Sequence, residues 1–158
     1  IKNESIKLDV AVDLVNYVKE LDSNHIVTFG GSGSNVRNAK STHGQFKLIN
    51  SGSDFCTIKY DSTKLTDDNL DVWKIETEGF FEKMSDCNNK PILLEDFSFS
   101  SDLNNREDLF GFIFTTAKNN NINPMFSSWG PGKDLVYSED LKILAEIRNF
   151  YWSNFVLI

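Results

Sequence analysis

Two adjacent carboxylates, Glu95 and Asp96, are the side chains of this sequence that are best placed to do chemistry. They follow a proline and three apolar residues inside the stretch Lys90–Phe99. A continuous apolar run of this kind predicts a buried parallel strand, with the two acids at its carboxyl end. Ligands and catalytic groups of α/β proteins gather at that end of the strands. The acids are therefore catalytic candidates, although an ordinary strand that runs into a polar loop shows the same pattern.

The elements that would position these acids alternate regularly along the chain. Helices are predicted over 8–21, from Thr66 to about Asp86, over Arg106–Lys118 and after Ser138. Strands are predicted at His25–Phe29, Phe55–Tyr60, Pro91–Glu95 and Ile122–Ser127. Such alternation predicts an α/β fold with parallel strands joined by right-handed crossovers. The first helix carries an apolar stripe of the kind that normally faces a core, formed by Val10, Leu14, Tyr17, Val18 and Leu21.

Length and composition are those of a single domain, and the net charge argues against some classes of partner. The 158 residues fit one domain, residues 1–158, and 40% hydrophobic with 13% aromatic content can fill a core. The formal charge of −7 argues against nucleic acid and anionic membranes, which both require clustered basic residues. No apolar run approaches the roughly 18 residues of a membrane span.

The remaining local signals leave some alternatives open. Cys56 and Cys87 form either one disulfide or two free buried thiols. The glycine-rich segment after Gly30 lacks the Gly-Lys-Ser/Thr ending of a phosphate-binding loop. No cluster of His, Cys and acidic residues has metal-ligand spacing, so no metal or organic cofactor is indicated. The start at Ile1 predicts a processed product or a fragment, and the sequon at Asn3 is compatible with a secreted protein.

Three segments together resemble a known family, namely 17–30, Lys90–Phe97 and Ile122–Gly130. They are similar to the C-terminal half of family 5 glycoside hydrolases of the endo-β-mannanase and cellulase type, which are (β/α)₈ barrels. The first segment contains Leu-Asp-Ser-Asn-His, the second begins Lys-Pro and ends in acids and Phe97, and the third carries Trp129. The resemblance implies half of a barrel, with strands equivalent to the fifth to eighth. Another polypeptide or a second copy would then have to cover the open sheet edges.

The resemblance also implies roles for two acids. Retaining glycosidases use two carboxylates about 5–5.5 Å apart, one as nucleophile and one as acid/base. Asp96 falls at the nucleophile position, where the family has the longer Glu, and Ser98 replaces the following glycine. Glu95 is expected to point to the other face, since side chains alternate along a strand. Glu4 is the candidate acid/base, although the proline that follows the family's Asn-Glu pair is missing.

Sugar-contacting positions depart from the family in the same way. Tyr60 corresponds to a family tyrosine, Lys59 replaces a histidine, and Trp129 lies two residues beyond the position of the stacking tryptophan. The substitutions lie at the ligand-facing ends of the strands, while the apolar patterns of the strands themselves are retained. We therefore expect a degenerate glycoside hydrolase-like protein that has a structural role or binds a β-linked polysaccharide or oligosaccharide. The alternatives are one half of an active retaining endo-β-glycanase and an unrelated α/β protein.

Overall fold

The computed structural model describes residues 2–29, 33–34, 46–48, 50–60, 65–97, 99–100, 103–125 and 141–154. The helices are α1 (Lys2–Leu21), α2 (Leu70–Met84, after a 3₁₀ turn at Asp67–Asn69), α3 (Arg106–Asn119) and α4 (Leu141–Asn154). The strands are β1 (Gly33–Ser34), β2 (Cys56–Tyr60), β3 (Ile92–Asp96) and β4 (Ile122–Pro124). This mixed order confirms the predicted α/β class.

The four strands form one parallel sheet in the order β1-β2-β3-β4. Since the strands are parallel, they all end at one side of the sheet, which we call the carboxyl edge. They all begin at the opposite side, the amino edge. The acids at the end of β3 therefore lie at the carboxyl edge, as the apolar run predicted.

The first strand does not lie where it was predicted. Residues 25–29 form no strand, because side chains of the β2 region bind their backbone groups. Val27 N donates to Asp54 Oδ2 at 2.8 Å, and Phe29 O accepts from Thr57 Oγ1 at 3.1 Å. The pairing strand is instead Gly33–Ser34, inside the segment predicted to be a loop.

The core lies between the sheet and α2, α3 and α4, and phenylalanines dominate it. Helix α2 contributes residues at helical spacing, with Trp73, Phe80, Phe81 and Met84 buried. Helix α3 does the same, with Leu109, Phe110, Ile113, Phe114 and Ala117 buried. Rings pack edge to face, for example Phe99 on Phe110 with centroids 5.0 Å apart. Each buried ring contributes roughly 1.5–3 kcal/mol relative to exposure.

Helix α1 begins at Lys2, earlier than predicted, and most of its apolar stripe faces away from the core. Among its described side chains, those of residues 9–21, the buried apolar ones are Ala11 and Val15. Four large apolar residues are more than half exposed: Val10 (58%), Leu14 (51%), Tyr17 (57%) and Leu21 (70%). We call these four residues the α1 stripe. None of the helices in the described part of the chain is long and apolar enough to cross a membrane.

The two cysteines are bonded to each other. Cys56 is the first residue of β2, and Cys87 lies in the turn after α2. That turn continues through Asn88 and Asn89 with φ of 54° and 59°, a left-handed conformation that asparagine tolerates better than most residues. The bond therefore ties the end of α2 to the amino edge of the sheet.

Candidate functional site

The two faces of β2 have different surroundings at the carboxyl edge. Ile58 and Tyr60 belong to the core that the sheet shares with the helices. Since side chains alternate along a strand, Thr57 and Lys59 point to the opposite face. In a barrel this second face would be the interior, and its carboxyl end would be the site of chemistry.

Lys59 and Glu95 meet on this second face. Their charged groups, Nζ and Oε1, are 4.0 Å apart, which is an ion pair but too long for a hydrogen bond. The Lys59 side chain is 45% exposed and the Glu95 side chain is 17% exposed. Glu95 Oε1 is buried, and it accepts no hydrogen bond within the described residues. The edge thus holds a buried carboxylate oxygen without a hydrogen-bond donor beside a partly exposed ammonium group.

The register of β2 and β3 shifts at this point. Ile58 pairs with Leu94, but Lys59 pairs with Asp96, so that Glu95 is an extra residue in β3. A shift of this kind bends the strand and redirects side chains, and it often occurs beside active sites. It brings the backbone of Asp96 opposite Lys59. The Asp96 side chain lies outside the described part of the structure, so its nucleophile role stays a prediction.

Glu95 is the site residue that sequence reasoning missed, because it was expected to point away from the site. The apolar pattern of the two strands does indicate on which face Glu95 lies. Ile58 and Leu94 are buried apolar residues that share the core face. Strict alternation therefore puts the residue after each of them, Lys59 and Glu95, together on the other face.

Tyr60 lies on the core side of β2 and not beside Lys59. It is 5% exposed, and its hydroxyl is 2.5 Å from Thr77 Oγ1 on α2. Its ring packs edge to face against Trp73 and Phe81, with centroids 5.8 and 5.7 Å away. This surrounding gives Tyr60 a packing role, and the sugar contact predicted for it finds no support in these contacts.

The structure describes the backbone of Glu4 but not its side chain, and it does not describe Trp129. Glu4 lies in the first turn of α1 rather than ahead of the helix, and its side chain is outside the described part. Trp129 lies in the segment 126–140, which is also outside the described residues. Among the residues that are described, no group of three or more His, Cys, Asp or Glu side chains could hold a metal ion.

A second polar group lies at the opposite, amino edge. Asp54, two residues before β2, is bound through both oxygens, by Lys19 Nζ at 2.5 Å and Val27 N at 2.8 Å. The hydrogen bond from Lys19 holds the pKa of the Asp54 carboxyl below its usual value. This arrangement connects α1 to the start of β2 and leaves neither oxygen of Asp54 open.

Lys90, just before β3, completes the amino-edge group. Its ammonium donates to three carbonyl oxygens, those of Asn50 at 2.8 Å and of Ser51 and Ser53 at 2.7 Å. Burial lowers the pKa of Lys90, and the nearby charge of Lys19 lowers it further. All three donors are used on the backbone, so the group serves to hold the connection into β2.

Comparisons with known proteins show a shared fold. No protein-family model matches the sequence, and no curated protein matches it. The structure is similar to that of the hyperthermostable endo-1,4-β-D-mannanase from Thermotoga petrophila RKU-1, solved with maltose and glycerol, with a TM-score of 0.72 and 16% identity. The similarity covers 94% of this chain and 52% of the mannanase. The chain therefore shares its fold with part of that enzyme and spans about half of the enzyme's length.

Proposed function

We propose that this chain is a degenerate glycoside hydrolase-like half-barrel that binds a β-linked polysaccharide at the carboxyl edge of its sheet. The observation that carries the proposal is the pair of Lys59 and Glu95, 4.0 Å apart, on the face opposite the helices. The pair lies at the strand ends of a fold shared with a mannanase, and that enzyme is named for acting on a β-1,4-linked polysaccharide. The implied ligand is therefore a carbohydrate.

The chemistry of the pair suits sugar hydroxyls, which both donate and accept hydrogen bonds. Glu95 Oε1 has no hydrogen-bond donor within the described residues. A ligand hydroxyl that reaches this carboxylate, whose side chain is 17% exposed, would supply a donor. An unpaired buried acceptor costs roughly 1–3 kcal/mol, which such a ligand would recover on binding. The ammonium of Lys59 would donate to a second hydroxyl. A neutral polyol is thus a better match than an anion, which Glu95 would repel.

Binding without hydrolysis is the better supported role. Asp96 is shorter than the glutamate of the resembled family, and a displacement of about 1 Å can cost on the order of 10²-fold in rate. The alternative is that the chain is the C-terminal half of an active retaining endo-β-glycanase. The position of both acids at the carboxyl edge favours that alternative.

The proposal of a half-barrel rests on the share of the mannanase chain that this structure matches. The chain corresponds to 52% of the mannanase, and within the described residues β1 and β4 are the two edges of the sheet. Open edges invite pairing with further strands. We propose that another polypeptide segment or a second copy supplies the remaining β/α units.

The proposed location is the extracellular space. The bond between Cys56 and Cys87 supports it, since disulfides form and persist in oxidising compartments. The sequon at Asn3 is compatible with the same location. Mass spectrometry of the protein from its native source, with and without glycosidase treatment, would detect a glycan on Asn3. An unmodified Asn3 together with reduced cysteines would contradict the proposal.

Carbohydrate binding is tested with the intact protein and soluble β-mannan or carboxymethyl-cellulose, by affinity electrophoresis and calorimetry. We expect retardation by at least one polysaccharide. Glu95→Gln and Lys59→Met should each weaken binding about tenfold, the effect of losing one hydrogen bond to a charged group. The matched controls are Glu107→Gln and Lys142→Met, which disrupt an exposed ion pair between α3 and α4 and should leave binding unchanged. A folded protein that binds neither polysaccharide would contradict the proposal.

Hydrolysis is tested on the same samples by the release of reducing ends. We expect none from the wild-type protein. Release that disappears in Asp96→Ala would support the active-enzyme alternative with Asp96 as nucleophile. Release that survives in Asp96→Ala would contradict the nucleophile assignment and the degenerate role together.

A further inference from the structure

Helix α1 has an apolar arc that is wider than its contact with the rest of the domain. Ala11 and Val15 on one side of the arc are buried, at 3% and 2% exposure. The α1 stripe on the other side is exposed over almost three turns of the helix. Exposed apolar patches of this extent usually mark interaction sites. The helix therefore has the apolar pattern of an element that packs against its own domain on one side and against a further partner on the other.

The spacing of the stripe indicates what kind of element covers it. Val10, Leu14, Tyr17 and Leu21 follow one another at intervals of four, three and four residues. This is the a/d pattern by which one helix packs along another. The stripe therefore fits an amphipathic helix as its partner element.

The charges beside the stripe disfavour a second copy of the same helix. In the heptad set by the stripe, Asp13 and Glu20 occupy the flanking g positions, and both are exposed. Lys19, the nearest basic residue of the described part of α1, is bound to Asp54. A two-fold pair of copies would supply no basic partner, because an antiparallel pair sets these g positions against each other and a parallel pair sets them against Ala11 and Val18 at the e positions. Charge complementarity favours Lys or Arg on the partner helix.

We propose that the α1 stripe is the docking surface for an amphipathic helix of a different polypeptide segment, with basic residues flanking its apolar positions. This inference rests on the proposed half-barrel and deepens it, because it names the surface and chooses a different segment over a second copy. The mannanase fold contains almost as much again as this chain supplies, and the docking helix would belong to that missing portion.

The test uses two synthetic helical peptides with the same leucine a/d positions. One peptide has lysine at its flanking positions and the other has glutamate. Fluorescence anisotropy with the full chain should show the lysine peptide binding about tenfold more tightly, through charge pairs that weaken as salt is added. The double variant Asp13→Lys/Glu20→Lys should reverse the preference. Leu14→Asp should abolish binding of both peptides.

The matched control is Ile75→Asp, which places the same charge at an exposed apolar residue of α2 and should leave peptide binding unchanged. Circular dichroism establishes that each variant is folded. Binding of neither peptide, or equal binding of both, would overturn the inference. So would a wild-type dimer in sedimentation that Leu14→Asp dissociates, since the occupant would then be a second copy. Loss of polysaccharide binding with the peptide preference intact would count against the carbohydrate proposal and not against the docking surface.

Discussion

The two edges of the same sheet use their charged side chains differently. At the amino edge, Lys90 donates to three backbone carbonyls and both oxygens of Asp54 are bound. At the carboxyl edge, Lys59 and Glu95 stand 4.0 Å apart, and Glu95 Oε1 has no hydrogen-bond donor within the described residues. Charges that are fully bound to their own chain hold the fold together. Charges that stay incompletely bound are available to a ligand, and barrel folds divide stability and chemistry between their two ends in the same way.

The largest effect is expected from breaking the covalent tie at the amino edge. Cys87→Ser should lower the free energy of unfolding by about 3–4 kcal/mol, because the bond closes a loop with a sequence separation of 31. Urea unfolding followed by tryptophan fluorescence measures the change, with reduced wild-type protein as the comparison. Equal free energies of unfolding for oxidised and reduced wild-type protein would show that the disulfide does not stabilise the fold.

The next largest effect is expected at Lys90. Lys90→Met should destabilise the protein by about 2–3 kcal/mol, because three carbonyl oxygens lose a charged donor. The matched control is Lys83→Met, an exposed lysine in the last turn of α2, which should change stability by at most about 0.5 kcal/mol. Similar losses for the two variants would remove the contrast between a structural and a solvent-exposed lysine.

A smaller effect on stability is expected at the carboxyl edge. Glu95→Gln should change the free energy of unfolding by less than about 1 kcal/mol, since a partly exposed ion pair contributes little. The same variant should weaken polysaccharide binding. A loss of binding without a loss of stability is what we expect at the carboxyl edge and not at the amino edge. A loss of stability as large as that of Lys90→Met would place Glu95 among the structural groups.

The smallest effect is expected in the pH dependence of stability. The pKa of Asp54 is lowered in the folded protein, so its contribution to stability is complete above the normal carboxyl range. The contribution is lost as the pH falls below about 4, because the proton then binds the unfolded chain more readily. Thermal unfolding from pH 7 to pH 3 should therefore show a shallower acid decline in Asp54→Asn.

Lys19→Met provides the matched variant for that measurement. It removes the hydrogen-bond donor that lowers the pKa of Asp54, and so it should flatten the same part of the curve. Parallel curves for wild type and both variants would mean that the pair does not contribute to acid stability.

Much of the fold could be predicted because it depends on local patterns. The buried faces of α2 and α3 follow from apolar residues at helical spacing, and β2 and β3 follow from short apolar runs. In these elements local propensity and the final packing agree. The end of β3, which carries Glu95 and Asp96, was for the same reason correctly predicted at the edge of a parallel sheet.

The parts that could not be predicted depend on contacts between distant residues. The segment that ends at Phe29 has strand-like composition, but Asp54 and Thr57 bind its backbone groups from more than 25 positions away. The pairing of Cys56 with Cys87 likewise depends on how α2 returns to the sheet. The place of Glu95 was missed because the two strands had been examined separately, whereas the alternation after Ile58 and Leu94, taken together, puts Lys59 and Glu95 on one face.

The order of the strands in the sheet bears on how the protein acquires its fold. Each strand lies beside the strand that precedes it in sequence, from β1 through β4. During synthesis, every new strand after β1 therefore meets a neighbour that has already left the ribosome. Pairing between successive strands keeps the loops that must close shorter than any other strand order would, which lowers the entropic cost of closing them. The sheet can grow one β/α unit at a time, in the manner of a repeat protein.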